Sequence, residues 1–280
     1  MRPIAVVTDS TATVPEDLVQ ELNIHVVPIP LAFEGRTFYD GVDVSPGEVY
    51  RWLRASEHMP TSSAPSAGDF LRVYAAAGRE AAGIVSIHMP PNLSATYDMA
   101  LTASRLVGSV PARVVNCQTA AIGQGFAVLE AAHAAAAGAN LDRVVARATK
   151  VGSKMNVLFT IETLKYLHRG GRIGGAAMLL GTMLQIKPVL YLADGRIEVF
   201  AKPRTKARAI QLILRQVADL AGGCPIHAAI FHADVPEEAD MLRRRVVEQF
   251  NCVELYVTEF TPVMGAHTGP GILGIAFYTQ

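Results

Sequence analysis

Short, mostly apolar runs that alternate with longer segments of helical pattern constrain the fold of this chain most strongly. Ile4–Val7, Gly83–Met89 and Ala112–Cys117 are bounded by turn residues, which predicts buried strands. A segment with the apolar spacing of a helix follows each of them. Strands that alternate with helices at this spacing form βαβ units, so the sequence predicts an α/β fold with a mostly parallel sheet.

The second half of the chain predicts a further α/β unit. Val157–Ile161 is typical of a strand, and the Ala-Asp-Gly segment at 193–195 is the strongest hairpin signal in the sequence. The chain has 280 residues, of which 50% are hydrophobic, so it is long enough for two domains with large cores. We therefore predict two α/β domains, residues 1–155 and 156–280.

The run Ile173–Ile186 carries no charged residue and is rich in Leu, Met, Ala and Gly. A segment that is apolar on all sides is either a central core helix or the wall of an apolar ligand tunnel. We expect the core helix. The run is also shorter than the roughly 20 residues that cross a bilayer, so no stable membrane insertion is expected.

The composition excludes several classes of partner. Lys and Arg together number 25, as do Asp and Glu, so no overall basic field gathers nucleic acid or an anionic membrane surface.

The N-terminus leads directly into a strand without an apolar segment of signal-peptide length, and we expect a cytoplasmic protein. Cys117, Cys224 and Cys252 lie in or beside apolar strands without a CxxC motif, which predicts buried free thiols.

The common motifs of cofactor and metal chemistry are absent. The sequence contains no GxGxxG, GxxxxGK[ST], GxSxG or HExxH. The histidines are scattered, and none stands with carboxylates at metal-ligand intervals, so neither a metal nor a cofactor is expected. Packing in the core is the expected role of His25, His88, His133 and His227.

Four short loops carry the candidate site. TDST (8–11), TSSAPS (61–66) and LSAT (93–96) are rich in hydroxyl groups, and each lies next to a regular element. GAHTGPG (265–271) places three glycines around His267, which predicts a tight, ordered loop with the histidine at its tip. We expect the three hydroxyl-rich loops to converge on His267.

A structural role is the alternative for each of these residues. His267 then bonds a neighbouring carbonyl, and Ser94 caps the helix that begins near it. Asp9 holds its strand-to-helix turn together, which is the role we prefer for it. At Ser94 capping and ligand contact are compatible, because the free N–H groups of a helix N-terminus also hold an anionic oxygen.

The candidate site combines uncharged hydrogen-bond donors with the many apolar residues in the second half of the chain. This combination suits a ligand with a small polar or anionic head and a long apolar tail. A competing hypothesis is an acyl or phosphoryl ester hydrolase with Ser94 as nucleophile and His267 as base. No nucleophile elbow surrounds Ser94, which weakens this hypothesis. A phospholipid or sterol sensor that uses the same cavity is a third hypothesis.

One part of the sequence concentrates basic residues. Because the remainder of the chain is balanced in charge, this concentration is either a solvated face or a docking surface for an acidic or phosphate-carrying partner. Its members are Arg169, Arg172, Arg196, Lys202, Arg204, Lys206 and Arg208.

Seven motifs, in their order along the chain, resemble the DegV family of bacterial fatty-acid-binding proteins. They are TDST, a TSxPS-like loop, SAT, YLHRGGRIGG, KPVL with DGRI, RTKARA and the terminal HTGPGxxG. The resemblance covers essentially the whole chain. Some members of this family are the FakB subunits of a fatty acid kinase.

The resemblance implies two α/β domains, with a long-chain fatty acid buried in the protein and its carboxyl group held where the domains meet. It implies a lipid-binding protein without turnover of its own. A separate ATP-dependent kinase catalytic subunit then phosphorylates the bound acid to an acyl phosphate for phospholipid synthesis. By motif match, Arg172 and Arg204 face that kinase or the incoming phosphate. The carboxyl contacts implied by motif match are Thr61, Ser62 or Ser63, together with Ser94, Thr96 and His267.

The sequence departs from the family pattern at two positions. Ala64 replaces the glutamine that is common between serine and proline, and Ala95 replaces the glycine between Ser94 and Thr96. Ala95 requires ordinary backbone angles where glycine is free, so the contacts of this loop are open to change. Neither departure removes a proposed oxygen ligand.

Overall fold

The structure is a computed structural model, and it describes residues 3–108, 110–181 and 186–279. In chain order the strands are β1 (Ala5–Asp9), β2 (His25–Val27), β3 (Pro30–Phe33), β4 (Arg36–Tyr39), β5 (Thr61–Ser62), β6 (Ile84–His88), β7 (Ala112–Asn116), β8 (Asn156–Thr160), β9 (Val189–Ala193), β10 (Arg196–Ala201), β11 (Ile226–His232), β12 (Cys252–Glu259) and β13 (Leu273–Thr279). The α-helices are α1 (Glu16–Glu21), α2 (Pro46–Ala55), α3 (Ala67–Ala77), α4 (Thr96–Leu106), α5 (Ile122–Ala136), α6 (Leu141–Lys154), α7 (Lys165–Arg169), α8 (Lys206–Ala221), α9 (Pro236–Gln249) and α10 (Pro262–Thr268). The predicted α/β fold is confirmed.

The chain divides into two compact units. The N-terminal unit comprises Met1–Val44 and Ser62–Ser153, and the C-terminal unit comprises Ser45–Thr61 and Lys154–Gln280. This grouping differs from the predicted ranges 1–155 and 156–280 in that it places Ser45–Thr61 and residues 154–155 in the C-terminal unit.

Helix α2, which lies in that segment, packs against α10 of the C-terminal unit. Its Arg54 also forms an ion pair with Asp234. These contacts account for the grouping, and the domain boundary at residue 155 stays a prediction.

The N-terminal unit is built on a parallel sheet in the order β2-β1-β6-β7. Helices α3 and α4 pack on this sheet through a core that includes Phe70, Tyr74 and Ile84, all completely buried. Asp9 and His88 are the last residues of the neighbouring strands β1 and β6. They therefore lie at the carboxyl edge of the sheet, where open α/β sheets bind their ligands.

The C-terminal unit is built on a six-stranded sheet in the order β10-β9-β8-β13-β11-β12. Here β11 and β12 run parallel, whereas β13 runs antiparallel to both of its neighbours, β8 and β11. The last strand of the sequence is thus central, and residues 273–278 are buried. The helices of this unit bury a second core around Ile213, Leu242 and Ile275.

Several local signals in the sequence are confirmed. The Ser-x-x-Asp pattern at Ser66 and Asp69 predicts a capping box. The two residues form one at the start of α3: Asp69 N donates to Ser66 Oγ at 3.2 Å, and Ser66 N donates to Asp69 Oδ2 at 2.7 Å. The turn between β9 and β10 has positive φ at Asp194 (49°) and Gly195 (70°), as a two-residue hairpin turn requires.

The Thr-x-x-Glu pattern at Thr13 and Glu16 predicts a capping box for the first helix, and this prediction is wrong. Thr13 has a φ of 49° and ends a 3-10 turn at Ser10–Ala12, while α1 begins only at Glu16 with Pro15 before it.

The core helix predicted for Ile173–Ile186 is also wrong over the part that the structure describes. A 3-10 helix spans Gly174–Leu179, and the side chain of Met178 is 70% exposed. Gly175 lies so close to β10 that an added Cβ would stand 2.0 Å from Glu198 Oε2. Two adjacent glycines favour a short turn over an α-helix. Residues 182–185 lie outside the described residues.

The cysteines differ in burial. Cys117 is buried, and burial raises the pKa of its thiol to about 12, so the thiol stays protonated. Cys252 is half-buried and Cys224 is exposed, so the prediction of buried thiols is wrong for Cys224. No helix within the described part of the chain has both the length and the apolar character needed to cross a bilayer.

Candidate functional site

Ser94 lies in the connection between β6 and α4, and Thr96 is the first residue of α4. The Oγ of Ser94 is 2.8 Å from Thr96 Oγ1, and Thr96 N donates to Ser94 Oγ at 3.3 Å. Ala95 stands at the N-cap position with φ −69°, so alanine is accommodated without strain where the family has glycine. The two hydroxyl groups therefore form a pair at the N-terminus of an eleven-residue helix.

The hydroxyl groups of the TSSAPS loop (61–66) differ in their exposure and in their hydrogen bonds. Strand β5 (Thr61–Ser62) lies beside β3 in a small sheet, and Ser63 N donates to Pro30 O at 3.2 Å. Thr61 and Ser63 are exposed, and neither hydroxyl has a hydrogen bond within the described residues. Ser66 in the same loop is occupied by its helix cap.

His267 does not lie at the tip of a loop, as predicted, but in the last turn of α10. The ring packs against Gly170, where an added Cβ would stand 2.6 Å from His267 Nδ1. Arg172 Nη1 donates to the carbonyl oxygen of Gly170 at 2.5 Å. Histidine and arginine are therefore brought to the same small region by α10 and by the turn that follows α7.

The two glycines after His267 are required by the backbone and by close packing. Gly269 has a φ of 72°, and a Cβ there would stand 2.0 Å from the ring of Tyr166. Gly271 has a φ of 92°, and a Cβ there would stand 2.3 Å from Glu162 Cγ. Residues with side chains rarely adopt such angles, so glycine is required at both positions.

The environment of His267 keeps its imidazole neutral at neutral pH. Burial, and after it the positive charge of Arg172, lowers the pKa of His267 to about 4. A neutral imidazole has one N–H donor and one acceptor nitrogen. Such a donor, close to a guanidinium group, is suited to an anionic oxygen.

The described structure places the predicted carboxyl ligands in two groups. Ser62, Ser63, Ser94 and Thr96 belong to the N-terminal unit, and Thr61 and His267 belong to the C-terminal unit. The convergence of all these side chains on one carboxylate stays a prediction.

The two predicted partner-facing arginines also belong to the C-terminal unit. Arg172 lies beside His267, while Arg204 is exposed in the segment that joins β10 to α8. Their contact with a kinase or a phosphate stays a prediction.

Sequence reasoning missed a buried polar network in the N-terminal unit. His88 Nδ1 is 2.6 Å from Asp9 Oδ2, and His88 Nε2 is 2.7 Å from Ser86 Oγ. Gln124 Nε2 donates to Asp9 Oδ2 at 3.1 Å, and Thr11 N donates to Asp9 Oδ1 at 3.1 Å. Asp9 thus has the structural role that we preferred for it, while His88, expected to pack, also uses both ring nitrogens.

The pKa of Asp9 reflects this network. Burial by itself raises the pKa of the carboxyl group, but the hydrogen bonds and charge of His88 and the bonds from Thr11 and Gln124 hold it below its ordinary value. A charged carboxylate is therefore stabilised inside the protein. The sequence signal for it was an aspartate and a histidine that end neighbouring strands of one parallel sheet.

The hydrolase hypothesis has no support in this geometry. The hydrogen bonds described for Ser94 Oγ go to Thr96, and Asp9 is bonded to His88. Ser86, His88 and Asp9 have the atom order of a catalytic triad, but all three are completely or almost completely buried. Ser86 lies in the middle of β6, so no substrate reaches its hydroxyl group in this conformation.

A cavity of about 370 Å³ opens in the N-terminal unit at the start of β1. Its lining includes Ile4, Leu22, His25 and Ala135. Because β1 and β6 run parallel, this cavity lies at the amino edge of the sheet, whereas Ser94 follows the carboxyl edge. It is therefore separate from the hydroxyl pair of Ser94 and Thr96.

Comparisons with known proteins agree over the full length of the chain. The model of the DegV family, described as "Uncharacterised protein, DegV family", matches residues 3–280. A DegV domain-containing protein of Streptomyces coelicolor is 38% identical over 276 residues, which cover 98% of each chain. This likeness extends across both units.

Solved structures give the same result. One described as showing fatty acid binding of a DegV family protein from Thermus thermophilus has a TM-score of 0.95 and 35% identity, with 100% of each chain covered. DegV from Bacillus subtilis, described as a fatty acid binding protein, has a TM-score of 0.91 and 28% identity, again with 100% of each chain covered. The chain belongs to the DegV family.

Proposed function

We propose that this protein binds a long-chain fatty acid and is not itself an enzyme. The observation that carries the proposal is His267, a neutral donor beside Arg172 in the last turn of α10. Full-length likeness to DegV proteins described as fatty-acid-binding supports the ligand class. The carboxylate is held by Ser94, Thr96 and His267 and by one of Thr61, Ser62 and Ser63.

The energetics of such a complex favour a long chain. Each charge-assisted hydrogen bond to the carboxylate contributes about 1.5–3 kcal/mol, and each buried methylene group contributes roughly 0.8 kcal/mol. A tail of a dozen or more carbons therefore supplies most of the favourable free energy, before the cost of association is subtracted. The head group then sets orientation more than affinity.

Mass spectrometry of gently purified protein tests the ligand. We expect a co-purifying long-chain fatty acid, and we expect the delipidated protein to take up added fatty acid. If no acid co-purifies and none is taken up, the proposal is wrong. The identity of the bound lipid also separates this function from a phospholipid or sterol sensor.

Two substitutions test the head-group contacts. Ser94→Ala and His267→Ala are each expected to weaken fatty acid binding by about tenfold, the loss of roughly one hydrogen bond to a charged group. Ser153→Ala and His133→Ala are matched controls on exposed helix positions of α6 and α5. The packing role expected for His133 is wrong, since its side chain is exposed. Unchanged affinity in both site variants would refute the assigned carboxylate contacts.

The finer part of the proposal is presentation of the carboxylate to a fatty acid kinase catalytic subunit. Arg172 and Arg204 supply positive charge for the partner or for the incoming phosphate. A guanidinium group suits this role, because it can donate two parallel hydrogen bonds to two phosphate oxygens.

An assay with ATP and such a kinase measures the acyl phosphate by trapping it with hydroxylamine. Arg204→Ala is expected to bind fatty acid normally and to lower acyl phosphate formation at least tenfold. Arg215→Ala, an exposed substitution on α8, is the control. Full activity of the Arg204 variant would remove this residue from the kinase step.

A further inference from the structure

Four charged side chains of the C-terminal unit form one ionic cluster beside the Gly269–Gly271 turn. Glu162 is paired with both Lys187 and Lys206, and Lys206 is also paired with Glu238. The Nζ of Lys206 is 3.3 Å from Glu162 Oε1 and 2.8 Å from Glu238 Oε2. We refer to Glu162, Lys187, Lys206 and Glu238 as the lysine cluster.

Lys206 differs from an ordinary surface lysine. Its side chain is 18% exposed, although its sequence neighbours Arg204 and Arg208 are exposed. Lys206 therefore does not contribute to the basic docking surface that the sequence allowed. Burial raises the pKa of Glu162, yet the bonds and charges of Lys187 and Lys206 together hold it below its ordinary value.

The third partner of Lys206 links the cluster to the candidate site. Lys206 Nζ donates to the carbonyl oxygen of Gly271 at 3.1 Å, so its three N–H donors have three acceptors. Glu162 packs against the Cα of the same glycine, where it leaves no room for a side chain. The turn that follows α10 is thus held by a hydrogen bond from the Lys206 side chain to the backbone and by close packing.

We propose that Lys206 is a positioning residue for His267. By binding the Gly271 carbonyl it holds the turn after α10, and it thereby keeps the imidazole in the orientation that receives the ligand. This inference rests on the proposed function, because the role of His267 as a carboxylate donor belongs to that proposal. Within the described residues, Lys206 is the cluster side chain that hydrogen-bonds the backbone of this turn.

Lys187 provides a matched control within the same cluster. Its Nζ also pairs with Glu162, and its side chain is 31% exposed. Its described bonds go to Glu162 and, through its backbone N, to Pro203 O at 2.7 Å, but not to the turn. Lys187→Met therefore removes one ionic contact of the cluster and leaves the hydrogen bond from Lys206 to the Gly271 carbonyl in place.

The experiment compares wild type, Lys206→Met, Lys206→Arg and Lys187→Met. Fatty acid affinity is measured by calorimetry on delipidated protein, and the imidazole signals of His267 are followed by NMR with ¹⁵N-labelled histidine. We expect Lys206→Met to weaken binding about tenfold and to shift the His267 signals. Lys187→Met is expected to stay within twofold of wild type, and Lys206→Arg, which keeps charge and donors, is expected to restore most of the affinity.

Unmoved His267 signals in a folded Lys206→Met variant would overturn the proposal, whatever happens to its Tm. Equal loss of affinity in the two methionine variants would also overturn it, because the effect would then be general to the cluster. If Lys206→Met does not fold, Glu238→Gln loosens Lys206 without removing it and is expected to shift the same signals. Unmoved signals there overturn the proposal as well.

The NMR measurement separates this inference from the proposed function. If wild-type protein binds no fatty acid, the proposed function fails. The His267 signals of the ligand-free variants still decide whether Lys206 positions the ring.

Discussion

Gly269, two residues after His267, combines a positive φ with a close contact to a side chain. Gly269→Ala forces a side chain into a backbone with φ 72° and places its Cβ against the ring of Tyr166. We expect the free energy of unfolding to fall by roughly 2–4 kcal/mol, since strain and overpacking act together. Urea unfolding followed by circular dichroism measures the loss.

Gly222→Ala tests a positive φ in open space, at an αL backbone (φ 57°, ψ 27°) rather than the φ 72°, ψ 173° of Gly269. An added Cβ at Gly222 would meet nothing within 4 Å. Gly222→Ala is therefore expected to cost only about 1 kcal/mol, the cost of the left-handed conformation alone. Equal losses at Gly222 and Gly269 would contradict the packing argument.

His267 also predicts a dependence of stability on pH. The pKa of His267 is about 4 in the folded protein and 6.5 in an unfolded chain, and burial is the main cause. The unfolded chain therefore binds a proton as the pH falls from 6.5 to 4, while the folded protein does not, and the folded protein loses stability across this window. Above pH 6.5 His267 is neutral in both the folded and the unfolded protein, so it adds no pH dependence to the stability.

His267→Gln is expected to make this dependence shallower, because glutamine does not titrate. The measurement is the urea midpoint at pH 7.5, 6 and 5 in both proteins. His25 and His232 also have pKa values lowered by burial, so part of the slope remains in the variant. Identical slopes in the two proteins would show that His267 is not held neutral by its surroundings.

At the scale of the secondary structure elements, the pair of Asp9 and His88 joins the carboxyl ends of β1 and β6. Asp9→Asn removes the charge and one acceptor from a completely enclosed network. We expect a loss of about 3 kcal/mol in the free energy of unfolding, since His88, Thr11 and Gln124 are left with imperfect partners. Chemical denaturation at pH 7 measures it.

Asp17→Asn is the control for this substitution. Asp17 is exposed in α1, so its change is expected to stay within about 0.5 kcal/mol of wild type. A loss at Asp9 no larger than that at Asp17 would mean that the buried network contributes nothing measurable to stability.

The elements differ in how well local sequence predicts them. Ser66 with Asp69 and Asp194 with Gly195 were predicted correctly, because a cap and a hairpin turn depend on residues adjacent in the chain. Thr13 and the run Ile173–Ile186 were not. At Thr13 the side chain of Asp9 starts a separate 3-10 turn. At Gly174 the backbone has a φ of 53°, which a right-handed α-helix does not contain.

At the scale of the whole molecule, a bound fatty acid is expected to stabilise the folded protein. A ligand that binds only the folded state adds about 2.7 kcal/mol to the free energy of unfolding at a concentration of one hundred times Kd. Thermal unfolding of delipidated protein, with and without a saturated long-chain acid, measures this effect as a rise in Tm.

The methyl ester of the same acid is the control for the head group. It keeps the apolar tail but lacks the charged carboxylate, so a smaller rise in Tm is expected. An equal rise for acid and ester would contradict a carboxylate held by Ser94, Thr96 and His267. His267→Ala is expected to bring the acid and the ester closer together.

The order of apolar and polar residues was by itself enough to determine the strands, most helices and the α/β class. Each of these features depends on residues that are close together in the sequence. The motifs of the chain also indicated the hydroxyl groups and His267 as site candidates. Tertiary structure alone decided that β13 is central, that His88 pairs with Asp9 from 79 residues away, and that Lys206 turns inward to Gly271. Such pairings form because a charge removed from water needs a partner, and the fold determines which distant group is close enough to be one.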